Sequence, residues 1–241
     1  MQISIIVLCI LGGYLIGSFS IPRLVMRIAA PEKDLESVEL PNFSTGGTFQ
    51  VKTIGATTAS MILGPKLGGL IGFLDILKGA IPSLVLRLLF PEQPYFIFIG
   101  AAIVVGHIWP VFYRFRGGGG LSPALGTFLV LDPLGVLVSV ILAFLIGMFI
   151  LREIKVMLLG GPILFILWTA IFSGDWIYTV FTVFINFIMI LAVIPDARVN
   201  LKARREGKMD MPSAMDVIPM GQMMKKMMDK MGLSQDKNKH V

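Results

Sequence analysis

Charge is scarce in this chain. Of 241 residues only 15% are Asp, Glu, Lys or Arg, while 55% are hydrophobic. A soluble domain carries about 25% charged residues, so that class is excluded. Cysteine occurs once, at Cys9 in an apolar run, which rules out an internal disulfide and a cysteine metal site. His107 has no second His or Cys nearby, so no metal centre is expected. The first apolar segment has no basic stretch before it and no A-x-A cleavage site. It reads as a retained span, not a removed signal peptide.

What fills the chain instead is apolar sequence, with a mean hydropathy of +0.82. That is the composition of a polytopic membrane protein. The net charge of +6 could suggest nucleic acid. In a membrane chain, cytoplasmic positive-inside charges account for it, and no nucleic-acid partner is expected. The apolar runs are Ile3–Ser20 (with a helix able to continue through Ile21–Ile28), Leu67–Phe90, Tyr95–Phe112, Leu121–Leu131, Leu134–Leu151, Val156–Ser173 and Trp176–Ile194. Leu121–Leu131 is too short to cross alone. Basic residues at Arg23/Arg27, Arg114/Arg116, Arg152/Lys155 and the tail belong inside, with Arg87 as the exception. This requires Leu121–Leu131 to act as a short span. Gly12, Gly13 and Gly17 suit close helix packing in lipid.

The expected architecture is therefore all-α: a polytopic membrane helix bundle of about seven transmembrane helices with short intramembrane segments, N-terminus out and C-terminus in. It covers residues 1–204. A Met/Lys-rich cytoplasmic tail follows over 205–241, mobile, with a short amphipathic helix near Met220–Met231.

Between spans lie the residues that carry chemistry. Arg114–Phe115–Arg116 leads into Gly117, Gly118, Gly119 and Gly120. Four glycines let several backbone N–H groups approach one anion, and arginine forks suit phosphate. The same run could also be a flexible loop with ordinary positive-inside arginines. Gly55–Ala56–Thr57 opens a helical pattern. Arg198, Asn200 and Lys202 follow the last span, where a polybasic lipid-facing patch is the other reading. Asp75 and Lys78 stand three apart on one helix face, where charges at that depth should pair or face the interior. His107 lies a few residues before the glycines and is expected to support them. Together these inner-surface segments offer what is needed to hold a phosphorylated polar molecule beside lipid tails.

The chain resembles the bacterial integral-membrane glycerol-3-phosphate acyltransferases of the PlsY type. The resemblance covers most of residues 10–205. Its pieces are Gly17–Ser18, Ile21–Pro22 and Arg27, then Ile54–Gly55–Ala56–Thr57 against S-G-N-x-G-A-T-N-x-x-R. Leu74–Asp75–Ile76–Leu77–Lys78–Gly79–Ala80 and Gly106–His107–Ile108–Trp109–Pro110–Val111–Phe112 follow. Arg114–Gly120 matches K-F-x-G-G-K-G, with Ala124–Leu125–Gly126 after it. Arg198, Asn200 and Leu201 match part of H-R-x-N-I-x-R. The departures are Val51 for the motif serine, Lys52 for its glycine, Thr53 and Thr58 for asparagines, Met61 for the arginine, Gly119 for the loop lysine and Ala197 for the histidine. Lys52, Arg116, Lys202, Ser44, Thr45 and Thr53 are the residues that could compensate.

The resemblance implies acyl transfer from acyl phosphate to glycerol 3-phosphate, giving lysophosphatidic acid for phospholipid biosynthesis in a multi-pass bacterial plasma-membrane protein, with no cofactor. It implies substrate binding by Gly55, Ala56, Thr57, Arg116, Gly117, Gly118, Gly120, Arg198, Asn200 and Lys202. Support would come from His107, Asp75 and Lys78. No catalytic residue is assigned. The alternative is a catalytically degenerate relative that binds lipid or phosphate metabolites or scaffolds a membrane-protein partner through the tail.

Overall fold

The computed structural model describes residues 2–32, 39–41, 48–50, 53–151, 154–205, 222, 226–227 and 229–231; along 195–205 only the backbone is described. The helices are α1 (Ile3–Ser18), α2 (Ile21–Ala29), α3 (Ala56–Leu63), α4 (Pro65–Leu89), α5 (Tyr95–Ile108), α6 (Leu121–Leu131), α7 (Pro133–Leu145), α8 (Ile154–Phe172) and α9 (Trp176–Arg205). A 3₁₀ turn, Val111–Tyr113, follows α5, and a π turn, Ile146–Ile150, extends α7.

Among the described residues, five stretches are long and apolar enough to cross a membrane: Ile3–Ala29, Pro65–Leu89, Tyr95–Tyr113, Pro133–Ile150 and Trp176–Ile194. Leu121–Leu131 and Leu159–Phe172 are shorter apolar helices. Seven apolar segments thus stand where the sequence places seven spans. Among the described residues the helical expectation holds except for one small ribbon. Glu39–Pro41 (β1) pairs antiparallel with Thr48–Gln50 (β2), Leu40 opposite Phe49.

Local chemistry sets the helix boundaries. Gly64, at φ 87°, turns the chain so that Pro65 can open α4. Asp132 separates α6 from α7. Its Oδ1 accepts from Gly135 N at 2.9 Å and its Oδ2 from Trp168 Nε1 at 2.7 Å. It therefore caps α7 and ties α8 to it. Arg87 ends α4 with a purpose that charge counting does not reveal. Its guanidinium donates to the carbonyls of Val130 and Leu131, which the end of α6 leaves without helical partners.

The bundle is inverted relative to a soluble protein. Ile3, Ile28 and Leu88 are exposed, as lipid contact demands, while Ser18, Ser83, Thr127, Thr169 and Thr182 are buried. Phe128 centres one core, its ring 5.0 Å from Phe165 and 6.0 Å from Phe181. α1 and α5 approach until backbones touch: a Cβ on Gly17 would collide with the Ile103 carbonyl, and one on Gly106 with that of Tyr14. Gly13 packs the same way against Ile99. Gly12 does not, having open space around it, because it points about 100° away from Gly13 around α1. The last helix is also longer than its apolar run. It continues through Pro195 to Arg205, so Arg198, Asn200 and Lys202 are helical. Most of the tail lies outside the described residues; of its Met/Lys stripe, Lys226, Met227, Lys230 and Met231 are described, all exposed, with Met231 N donating to Met227 O at 3.1 Å.

Candidate functional site: two helix N-termini facing a glycine loop

α3 and α6 each begin after a glycine, Gly55 and Gly120, and neither has a side-chain cap. The first internal bonds are Ala59 N to Gly55 O and Ala124 N to Gly120 O, both 3.0 Å. The first-turn N–H groups ahead of these bonds, Ala56, Thr57 and Thr58 on α3 and Leu121 and Ser122 on α6 (Pro123 has none), make no bond within their own helix and point out of its start. That is a partial positive charge with aligned donors, twice over.

The two ends are held side by side. Ile54 N donates to Gly117 O at 2.9 Å. A Cβ on Gly55 would lie 3.8 Å from the Gly118 Cα. On α4, a Cβ on Gly72 would sit 3.4 Å from the Ala56 Cβ and 4.0 Å from the Ser122 Oγ, so both first turns rest on the same helix. Thr58 Oγ1 donates to Thr53 O at 2.6 Å and closes the turn before α3. Thr57 is exposed.

Behind the loop is a buried polar cluster. Asp75 and Lys78 lie one turn apart on α4, 3.0 Å between Oδ1 and Nζ, with side chains 1% and 7% exposed. Lys78 Nζ is also 3.0 Å from His107 Nδ1 and donates to Phe19 O at 3.1 Å and Gly17 O at 3.3 Å. Both carbonyls lie at the break between α1 and α2, where Phe19 and Ser20 are extended. An ammonium has only donors, so His107 Nδ1 accepts and the ring proton sits on Nε2. That edge faces Gly118: a Cβ there would strike Nε2. The His107 carbonyl accepts from Gly118 N at 3.1 Å. One residue thus holds the loop by backbone and ring.

The turn into the glycines is strained. Arg114 and Phe115 both have positive φ, 52° and 60°. For non-glycine residues that costs roughly 1–2 kcal/mol each. The turn is kept by Phe115 N to Pro110 O at 3.0 Å and Arg116 N to Tyr113 O at 3.0 Å. Arg114 and Arg116 are exposed.

Of the sequence candidates, Gly55, Ala56, Thr57, Gly117, Gly118 and Gly120 are gathered at one place, with Asp75, Lys78 and His107 behind them. Arg116 stands at its edge. Arg198, Asn200 and Lys202 lie on the α9 backbone, and their side chains are outside the described part, as are Val51, Lys52, Ser44 and Thr45. Two participants escape a reading by motif. Ser122 sits in the first turn of α6, signalled only by a small polar residue just past the glycines. Arg23, read as a positive-inside marker, is 7% exposed and donates to Arg116 O at 2.7 Å.

Comparison with known proteins shows what the chain is similar to. The chain matches the family described as glycerol-3-phosphate acyltransferase over residues 7–207. The glycerol-3-phosphate acyltransferase of Aquifex aeolicus (strain VF5) is 35% identical over 125 residues, 52% of this chain and 58% of the relative. That of Myxococcus xanthus (strain DK1622) is 38% identical, with 59% of the relative covered. The chain therefore spans less than two thirds of these two. Glycerol-3-phosphate acyltransferase 2 of Bacillus anthracis is 32% identical over 196 residues, 81% of this chain and 93% of the relative. The fold is similar to the crystal structure of PlsY, an integral membrane glycerol 3-phosphate acyltransferase, in its lysophosphatidic acid form. There the TM-score is 0.65 at 26% identity, covering 88% of this chain and 97% of that one. The glycerol 3-phosphate form gives 0.64 at 28% identity, with 88% and 98% covered. A match running through all but the ends of the chain, on a fold that closes its glycine loop against a second helix start, places this protein in the glycerol-3-phosphate acyltransferase family.

Proposed function

We propose that the chain transfers a fatty acyl group from an acyl phosphate to the primary hydroxyl of glycerol 3-phosphate. The acyl carbon loses its bond to the phosphate oxygen and gains one to the glycerol oxygen. Lysophosphatidic acid forms, and the hydroxyl proton is carried off by the released phosphate. The observation that carries this reading is the convergence of the α3 and α6 N-termini at Gly55 and Gly118. Both substrates are phosphate anions, and two helix starts offer donors for two phosphates. Fixed donors of this kind also stabilise charge developing on the transferring group without reorganising. Arg116 guides anions at the mouth. Arg198, Asn200 and Lys202, on the helix leaving the last apolar segment, complete the phosphate contacts. The site faces the cytoplasm of a bacterial plasma membrane, N-terminus out and C-terminus in, and the tail from residue 205 is the surface offered to a membrane-protein partner.

A second reading rests on one observation. At Gly119, where the related motif has lysine, space is open, with Thr53 Cγ2 nearest at 4.0 Å from a Cβ. A cradle lacking that cation could bind phosphate metabolites without turnover. Purified chain in nanodiscs, supplied with acyl phosphate and glycerol 3-phosphate, separates the two. Turnover lost in Arg116→Ala is the expected result. Phosphate binding with no turnover supports the second reading, and neither binding nor turnover overturns both.

A further inference from the structure

Arg23 is the third residue of α2, yet its guanidinium reaches the loop between α5 and α6. Nη2 donates to the Arg116 carbonyl at 2.7 Å. Nη1 donates to Ser20 Oγ at 3.4 Å. The guanidinium carbon lies 4.3 Å from the centroid of the Tyr113 ring. These contacts bracket the strained pair: Tyr113 precedes Arg114 and Phe115, and Arg116 follows them. A planar, always-charged group can stack on a ring and donate in its own plane at once. An ammonium cannot.

We propose that Arg23 is a positioning residue, a buried clamp that holds Arg114 and Phe115 in their left-handed conformation and so aims the Gly117–Gly120 backbone at the α3 N-terminus. Two adjacent non-glycine residues at positive φ persist only where their surroundings over-determine them. The bonds from Phe115 N and Arg116 N lie within the turn itself. Arg23 fixes it from another helix. Its effect passes directly to the site, because Arg116 O is one peptide from Gly117, whose carbonyl holds Ile54 N. Arg23 thus acts on both helix starts without touching a phosphate. The proposal rests on the phosphate-cradle reading for its effect on activity, but its effect on the loop can be read without substrate.

The test uses the full chain in nanodiscs and reads amide hydrogen exchange at Ile54, Phe115, Arg116 and Gly118 together with acyl-transfer kinetics. Arg23→Ala is expected to speed exchange at those amides at least fivefold and to lower kcat at least tenfold. Cys9, buried on α1, stays protected from maleimide, marking an intact fold. Arg23→Lys does not rescue either readout. Phe115→Gly, added to Arg23→Ala, recovers about five- to thirtyfold of the loss, since glycine adopts positive φ without penalty. A clamp that merely supplied charge would show the reverse, with rescue by lysine and none by Phe115→Gly. Unchanged exchange in Arg23→Ala, or failure of Phe115→Gly to restore slow exchange, overturns the proposal. If Arg23→Ala does not fold, Arg23→Lys with and without Phe115→Gly carries the same test. Wild-type protein that exchanges as expected but transfers no acyl group overturns the proposed function and leaves the clamp standing.

Discussion

Replacing Lys78 with methionine removes four contacts and one charge while keeping the length of the side chain. Asp75, 1% exposed, then loses its ammonium, and His107 Nδ1, 3.5 Å from its Oδ1, serves it as a donor only by moving the ring proton from Nε2. Gly17 O and Phe19 O lose their donor at the same time. Breaking a buried ion pair from one side costs about 3–5 kcal/mol, chiefly because the surviving charge is uncompensated. That multiplies the unfolded fraction by about two to three and a half powers of ten. Removing the charge as well, with Asp75→Asn in the Lys78→Met background, should return about 2 kcal/mol or more, because an amide does not need a counter-ion. Cys9 supplies the assay: it is the single cysteine and is 6% exposed, so maleimide labelling during denaturing-detergent titration reports unfolding. A double variant no more stable than Lys78→Met would show that the lost carbonyl donors, not the stranded charge, set the cost. The argument from charge would then be wrong.

Gly118→Ala forces a methyl against His107 Nε2 and to 3.1 Å from Ile54 O. It is expected to cut phosphate affinity at least tenfold, measured by binding of glycerol 3-phosphate to the folded variant. Gly119→Lys enters open space and restores the cation of the related motif. Since losing one donor to a developing oxyanion costs about 10²–10³ in kcat, a gain of at least tenfold in kcat/KM is expected. Asp132→Ala deletes a helix cap and strands the Trp168 N–H, and about 2–4 kcal/mol of stability should go with them in detergent unfolding. Asp132→Asn, which keeps an oxygen for Gly135 N, should lose about half of that.

Much of the fold is readable in the sequence because lipid imposes a crude rule: long apolar runs become helices. Asp75 and Lys78 also announce themselves, since two charges in an apolar helix three residues apart have few options besides each other. The glycine run and Gly55–Ala56–Thr57 are visible as turns. Their meeting is not, because nothing local says that Ile54 N will find Gly117 O. Arg23 is hidden for a related reason. Its neighbours, Pro22 and Arg27, make it look like a topological marker, and its function depends on a carbonyl 93 residues away. The packing of Gly13 but not Gly12 turns on the rotation of α1 about its axis, which a uniformly apolar helix does not encode. Pro195 and the charges after it look like an exit from the helix, yet α9 carries on, so composition marks where the apolar run stops and not where the helix does.

The eleven residues of α6 span about 16 Å, roughly half of a hydrocarbon layer about 30 Å thick. Arg87 finishes one end, and the glycines begin the other. Such a stub cannot bring both of its ends to the two surfaces of a layer that thick. An α6 that ends at one surface leaves its positive start within the layer. A water-soluble phosphate descending to it would travel alongside the fatty chains. Under the proposed acyl transfer, the ester would form at the depth where it is to reside, with no chain lifted out of the bilayer to meet it.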